Sequence, residues 1–275
     1  MMKKVLVLLC TVVLFFSLSC GNSGGIASGG AAAEGGKIAQ IRERGKLIAG
    51  IALGGVPMGF FDDQGNPSGY DYDWAKHMAD ALEVELEVVE VDGETRIAAL
   101  QSGRIDVVCA NMTGNLTRSQ LVGMSIPYLR VGIKMLTKAG SRFQDITDLN
   151  DPGVTVSVGR GTTGEELVLR YAPRANIIYV NSFTDEVLQV EQGKCDAGFE
   201  DSILVDYAAK NSNGTLVSPP RQYTSDPICF GVPLGDPHFL YWVNQFVSWN
   251  ITQGWQQETY KKWWGEEPAP LTALW

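Results

Sequence analysis

A seven-residue unit occurs twice in this chain, as Leu100-Gln-Ser-Gly103-Arg-Ile-Asp106 and as Val190-Glu-Gln-Gly193-Lys-Cys-Asp196. Each copy reads as a helix end, a glycine suited to the left-handed cap, a basic residue, an aspartate and then an apolar strand. One such joint is common. Two, in separate halves of the sequence, predict two similar lobes. Asn111 and Asp201 stand five residues past the two aspartates. They therefore fall at the carboxyl ends of equivalent strands, the edge at which open α/β sheets bind ligands. The expected architecture is α/β, with two lobes turning their strand ends toward a shared cleft.

The rest of the pattern agrees with that class. Apolar strands are expected at 46–53, 84–91, 105–110, 154–158, 177–180 and 197–199, the second showing period-two alternation from Val84 to Val88. Amphipathic helices are expected at 71–82, 95–101, 163–171, 183–191, 239–252 and 256–264.

Composition narrows the function classes. With 45% hydrophobic residues among 275 there is material for a large core, which excludes a wholly disordered chain. Thirty-one acidic residues against 22 basic give a net charge of −9, so a nucleic-acid partner is not expected. The two histidines, His77 and His238, lie far apart and no Cys-x-x-Cys occurs. No metal site of local spacing and no cofactor are expected.

Residues 1–19 read as an export signal: Lys3 and Lys4, an apolar run from Val5 to Phe16, then small residues up to Cys20. The run is about half of the roughly 20 residues that span a bilayer. Ser17-Leu18-Ser19-Cys20 resembles a bacterial lipobox with Cys20 as the lipidated residue, although Ser17 stands where that pattern usually has an aliphatic residue. Ordinary cleavage with free secretion is the alternative. Residues 20–36 then form a Gly/Ala/Ser-rich tether reaching on the order of 20–25 Å. After export three cysteines remain, Cys109, Cys195 and Cys229. Cys195 and Cys229 are the pair expected to bond if any does, because both lie in the same half of the chain; three buried thiols is the other reading.

Several residues could hold a ligand, each with a plainer explanation beside it. Gly159-Arg-Gly-Thr162-Thr163-Gly-Glu165 follows a strand and opens a helix, so its N–H groups can face an anion; equally, Thr163 can be an ordinary N-cap. Arg118, in Asn111-Met-Thr113-Gly-Asn-Leu-Thr117-Arg118, offers a forked cation suited to a carboxylate, or is a surface arginine in a turn. Thr113 can add a donor. Asp201 can accept from an ammonium or cap the next helix.

Taken together with further motifs, these residues resemble a known family. Gly65-Asn-Pro-Ser-Gly69-Tyr-Asp-Tyr-Asp73, Thr95-Arg-Ile-Ala-Ala-Leu-Gln-Ser-Gly-Arg-Ile-Asp106, Thr117-Arg118 with Ser125-Ile-Pro-Tyr128, Gly161-Thr-Thr163, Gly193-Lys-Cys-Asp-Ala197 to Asp201, and Tyr260-Lys-Lys-Trp263 occur in the family's order. The chain resembles the periplasmic amino-acid-binding proteins of ABC importers, extracellular solute-binding family 3, from about Lys37 to Gly265. That resemblance implies the type II periplasmic-binding-protein fold, its lobes joined by crossing strands near Arg130–Lys138 and Gln222–Val232. The implied layout is residues 37–131 for the first lobe, 132–226 for the second, and 227–275 for a return to the first with the C-terminal helices. It implies a free amino acid as ligand, its α-carboxylate on Arg118 and its α-ammonium on Asp201. It further implies a monomeric partner of an inner-membrane ABC permease, in the periplasm or on the cell surface, and the lipobox resemblance at Cys20 adds a lipid anchor to the membrane.

Arg96 bears on which amino acid is bound. It begins a short helix, where a cation is disfavoured, and the family's acidic-amino-acid binders carry an arginine at the matching position that reaches the ligand side chain. Relatives with other ligands keep it too. An acidic or small polar ligand is expected, with no second base between Ala52 and Met58 to reinforce the acidic choice. Phe60 and Phe61 are assigned to the core, with the alternative that one of them lines the cleft. No catalytic residue is expected. The family's fold is also similar to that of a dehydratase acting on cyclic prephenate-like acids, for which Glu200 is a conceivable general acid, though strand alternation points it away from the cleft. A ligand sensor is the third class.

Overall fold

A computed structural model describes residues 36–271. The expected export signal, the Cys20 lipid site and residues 21–35 of the tether lie outside that range. Gly36, assigned to the tether, is instead the first residue of helix α1 (Gly36–Arg44).

Two five-stranded sheets build the molecule. In chain order the elements after α1 are β1 (Lys46–Ile51), β2 (Phe60–Phe61), β3 (Pro67–Ser68), α2 (Tyr70–Ala81), β4 (Glu85–Glu90), α3 (Arg96–Gln101), β5 (Val107–Val108), β6 (Gly123–Val131) and β7 (Ile133–Lys138). There follow β8 (Thr155–Gly159), α4 (Thr163–Tyr171), β9 (Asn176–Val180), α5 (Phe183–Glu191), β10 (Ala197–Asp201), α6 (Ser202–Asn211), β11 (Leu216–Val217), β12 (Asp226–Val232), α7 (Pro237–Thr252) and α8 (Trp255–Trp264). The first sheet has the order β4-β1-β5-β12-β6 and the second β11-β7-β10-β8-β9; β2 and β3 form a separate two-stranded flap. We call the two halves built on these sheets the first and second lobes.

The repeated sequence unit has a single structural meaning in both lobes. Gly103 and Gly193 adopt left-handed φ of 73° and 69°, the conformation a glycine reaches without a Cβ clash. Each aspartate then ties its strand to the neighbouring one. The Ile48 N–H donates to Asp106 Oδ2 and the Thr155 N–H to Asp196 Oδ2, both at 2.9 Å. The return bonds, Asp106 N–H to Ile48 O and Asp196 N–H to Thr155 O, are also equivalent. Asp106 is buried and further held by Lys37 and Arg44.

Two strands cross between the lobes. β6 belongs to the first sheet, β7 to the second, and only Gly132 separates them. The return runs from Gln222, bridged to Lys134, into β12. At the crossing the two segments press together: a Cβ on Gly132 would lie 2.1 Å from Thr224 O. The largest apolar cluster extends from Trp74 and Phe230 of the first lobe to Phe183 and Leu204 of the second. Its aromatic centre includes Tyr128 stacked on Phe230 at 4.2 Å and Trp74 edge-on to Trp255 at 4.7 Å. Such pairs add about 0.5–1.5 kcal/mol each beyond the area they bury.

Two expectations are corrected here. Cys109, Cys195 and Cys229 are all free and buried, so Cys195 and Cys229 do not pair. Cys195 precedes β10 of the second lobe, whereas Cys229 is on β12, which has already returned to the first sheet. Sharing half of the sequence does not mean sharing a lobe. Phe60 and Phe61 are not core residues either. They sit on the β2–β3 flap at the cleft, Phe61 is 48% exposed, and Phe60 packs edge-on to Trp263.

Candidate functional site

The strand ends of the two lobes face a cleft of about 1120 Å³. Asn111 and Asp201 meet across it, the Asn111 side-chain amide donating to Asp201 Oδ2 at 2.7 Å. Each is held by its own lobe. Asn111 takes a left-handed φ of 45°, and its N–H donates to Asp71 Oδ2 at 2.8 Å. Asp201 ends β10 and precedes α6, but its side chain makes no capping hydrogen bond. The reading of Asp201 as a simple helix cap is therefore excluded. Asn111 Oδ1 and Asp201 Oδ1 are both buried without a partner, two acceptors directed at nothing in the protein.

Arg118 is buried rather than on the surface. Its Nη1 donates to Thr113 O and its Nη2 to Gly161 O, each at 2.9 Å, so one guanidinium joins the two lobes. It is not among the residues that line the cleft, although Thr113, whose carbonyl it bonds, is. Two of its five N–H groups are engaged by these bonds. Thr113 lines the cleft and is buried. At the start of α4 the cap is Thr162, whose hydroxyl accepts from the Glu165 N–H at 3.1 Å. Thr163, expected as the alternative cap, is the first helical residue and lines the cleft.

Arg96 also lines the cleft and is buried, so it is not a solvent arginine. Its Nη1 donates to Ala110 O at 2.7 Å, while Nε has no partner. Burial, with Arg118 nearby, pushes its guanidinium down to about 10.

Two further acids line the site, Glu200, which strand alternation had pointed away from it, and Glu186, which the sequence reading did not single out. Glu200 lines the cleft with Asp201, contrary to simple alternation, and its Oε1 accepts from the Asp201 N–H at 2.9 Å. The strand is ending there, and that bond turns the side chain along the edge. Glu186, on α5, is 1% exposed, and its Oε1 has no partner. Its signal was available: Phe183, Glu186 and Val190 share the helical spacing of the buried face. Desolvation, followed by the charge of Glu200, holds the carboxyls of both Glu186 and Asp201 well above the usual range.

The two lobes touch around the cleft. A Cβ on Gly54 would meet Ser182 Cβ at 2.2 Å, and one on Gly93 would meet Arg160 O at 2.5 Å. The Thr184 N–H donates to Gly54 O at 2.9 Å. Among the described residues no cluster of His, Cys, Asp or Glu has a metal-holding arrangement, and no helix is long and apolar enough to cross a membrane.

Asp71 links the site to pH. Burial, offset by the Tyr128 hydroxyl and the Asn111 N–H, pushes its carboxyl up to about 7 from 3.8. A raised folded-state value means that the folded protein holds the proton more tightly, so this contribution is complete below about pH 4 and is lost toward pH 7. Asp201 and Glu186 act in the same direction. The urea midpoint of the protein without added ligand is expected to fall between pH 5 and pH 7.5, and Asp71→Asn to flatten that slope. A midpoint that rises over this interval would contradict the assignment.

Two open α/β lobes, joined by two crossing strands over a polar cleft, define a solute receptor by class. The chain belongs to the bacterial extracellular solute-binding proteins, family 3, whose model matches residues 47–266. It is 28% identical over 277 residues to the ABC transporter glutamine-binding protein of Bacillus subtilis, covering 98% of this chain and 100% of that one. The glutamate/aspartate import solute-binding protein of Salmonella typhimurium is 27% identical, covering 95% and 89%. A cyclohexadienyl dehydratase of Pseudomonas aeruginosa is 28% identical over 180 residues, covering 65% and 67%. Among solved structures, an ancestral amino acid-binding protein described as a precursor of cyclohexadienyl dehydratase matches with a TM-score of 0.78 and 32% identity, covering 82% of this chain and 99% of that one.

Proposed function

We propose that this chain is the extracytoplasmic substrate-binding component of an amino-acid ABC importer, closing its two lobes over a free amino acid. The observation that carries this is the meeting of Asn111 and Asp201 across the cleft, with a buried unpartnered acceptor on each. An α-ammonium supplies the donors those two atoms lack. The α-carboxylate goes to the remaining N–H groups of Arg118, with Thr113 and the start of α4 at Thr163 beside it. Because the two charges of a zwitterion engage both lobes, binding and closure are one event. The chain then acts as a monomer delivering its ligand to an inner-membrane permease, tethered to the membrane through Cys20.

An acidic or small polar ligand was expected from Arg96. The Nη1 of Arg96 is engaged by a backbone carbonyl, and the cleft carries more carboxylates than guanidiniums. Both facts weigh against an acidic side chain and toward one that donates hydrogen bonds.

Titration calorimetry tests the reading, using residues 37–275 refolded from urea to remove carried-over ligand, against the twenty amino acids. One-to-one binding of one of them with Kd of about 10 μM or tighter is the expected result. Silence across the panel would sink it. A second reading, a dehydratase-like enzyme, is favoured by one observation: the cleft holds carboxyls, Glu186 and Glu200, whose hold on a proton burial strengthens, the direction a general acid requires. Turnover of a cyclic prephenate-like acid is its signature.

A further inference from the structure

Glu186 is a carboxylate in an expensive place. It is almost fully buried and lines the cleft, and one oxygen has no hydrogen-bond partner. An unpartnered buried acceptor is costly, more so if charged, so a group that supplies the missing donor is strongly favoured there. The fold makes room for this side chain rather than tolerating it by accident. Opposite it on β10 stands Gly198, where a Cβ would lie 2.5 Å from Glu186 Oε1.

The surroundings define the charge of the missing group. Glu200 neighbours Glu186 and lines the same cleft. Of the other lining acids, Glu90, Glu94 and Asp185 are exposed and Asp92 is half-buried, and together they give the mouth a negative field. Two of the lining cations do little to balance them: Arg160 is exposed and lies over the Tyr179 ring at 3.5 Å, and Arg104 is exposed. Arg96 is buried on the first lobe, held by the Ala110 carbonyl.

We infer that Glu186 and Glu200 form a side-chain subsite for a cationic group, an ammonium or guanidinium, so that the bound amino acid is a basic one. This rests on the receptor reading above, in which Asp201 and Asn111 take the α-ammonium. The division of labour is simple. Asp201 serves the end common to all amino acids, and Glu186 with Glu200 serves the end that distinguishes them. Arg96 and Arg118 act on Glu200, so a neutral side chain leaves Glu186 as the member of the pair without a cation, and an acidic one adds a third carboxylate.

The test compares ligands of matched shape and different charge. Refolded residues 37–275 are titrated by calorimetry with L-arginine, L-citrulline, L-lysine, L-glutamine and L-glutamate. Arginine or lysine is expected to bind at least about a hundredfold tighter than citrulline or glutamine. Glu186→Gln keeps the shape and removes the charge, and is expected to erase at least about tenfold of that preference. If that variant fails to fold, Glu200→Gln serves, because its amide oxygen can still accept from the Asp201 N–H. Tightest binding of glutamine, citrulline or glutamate by the parent protein would overturn the subsite and leave the receptor reading intact. A preference for arginine or lysine that survives both substitutions would overturn it as well. Binding of no amino acid at all would remove the receptor reading itself.

Discussion

Replacing Arg118 with alanine is expected to weaken binding of the cognate amino acid by about a hundredfold or more, in a protein that still folds. Two losses combine. The ligand carboxylate loses its forked cation, and a buried charge deprived of its partner costs about 3–5 kcal/mol. The lobes also lose a direct bond, because Nη1 and Nη2 connect Thr113 O in the first to Gly161 O in the second. The turn itself should survive, since the Arg118 N–H still donates to Asn115 Oδ1. Arg118→Lys separates charge from geometry. A lysine keeps the cation but cannot serve two carbonyls and a carboxylate in one plane, so its loss should be intermediate, about tenfold. Calorimetry gives the affinities and a thermal melt verifies the fold. A loss below about threefold in folded Arg118→Ala would remove Arg118 from the ligand's grip and leave it as a strut between lobes.

How much of this could be read from the sequence depends on whether a feature is local. The repeated helix–Gly–Asp–strand joint is local: glycine at left-handed φ and an aspartate bonded to the next strand follow from a few consecutive residues, and both copies behave alike. Helices α4 and α5 follow for the same reason, each opened by a hydroxyl cap, Thr162 and Ser182. What failed was decided across the fold. The Cys195–Cys229 pairing assumed that neighbours in sequence share a lobe, and the crossing strands break that assumption. Phe60 and Phe61 looked like core because they are large and apolar, yet they belong to a two-residue strand that leaves Phe60 half-buried against Trp263 and Phe61 exposed. Glu200 was misplaced because alternation ceases to apply at the last residues of a strand. Glu186 is the instructive omission. A charged residue on the buried stripe of a helix is costly enough to require a reason, and the stripe was legible in Phe183, Val187 and Val190.

Adding a single methyl at Gly93 is expected to uncouple ligand capture from lobe closure. Gly93 lies in the loop between β4 and α3, and the atoms its Cβ would meet all belong to the second lobe: Arg160 O at 2.5 Å, Thr162 Cγ2 at 3.1 Å and Arg160 C at 3.6 Å. Nothing in the first lobe obstructs it, so Gly93→Ala should leave the urea midpoint of the protein unchanged. The obstacle at 2.5 Å is a backbone carbonyl, which cannot swing aside as a side chain would. Its neighbour Gly161 is fixed from the other direction, at φ +69° and with its own Cβ position 2.6 Å from Gly93 O. Closure in Gly93→Ala therefore stops short by a fraction of an ångström to an ångström, a distance that matters because hydrogen bonds weaken steeply outside their range. Apparent affinity falls in proportion to the fraction of molecules able to close, so a loss of at least about tenfold is expected by calorimetry. Ligand-induced compaction in small-angle X-ray scattering should shrink or vanish in the same variant. Gly54→Ala, which meets Ser182 at the other contact, should behave likewise. If both variants bind and compact as the parent does, the lobes do not need this approach to hold a ligand, and the bridges made by Asn111 and Arg118 must suffice without it.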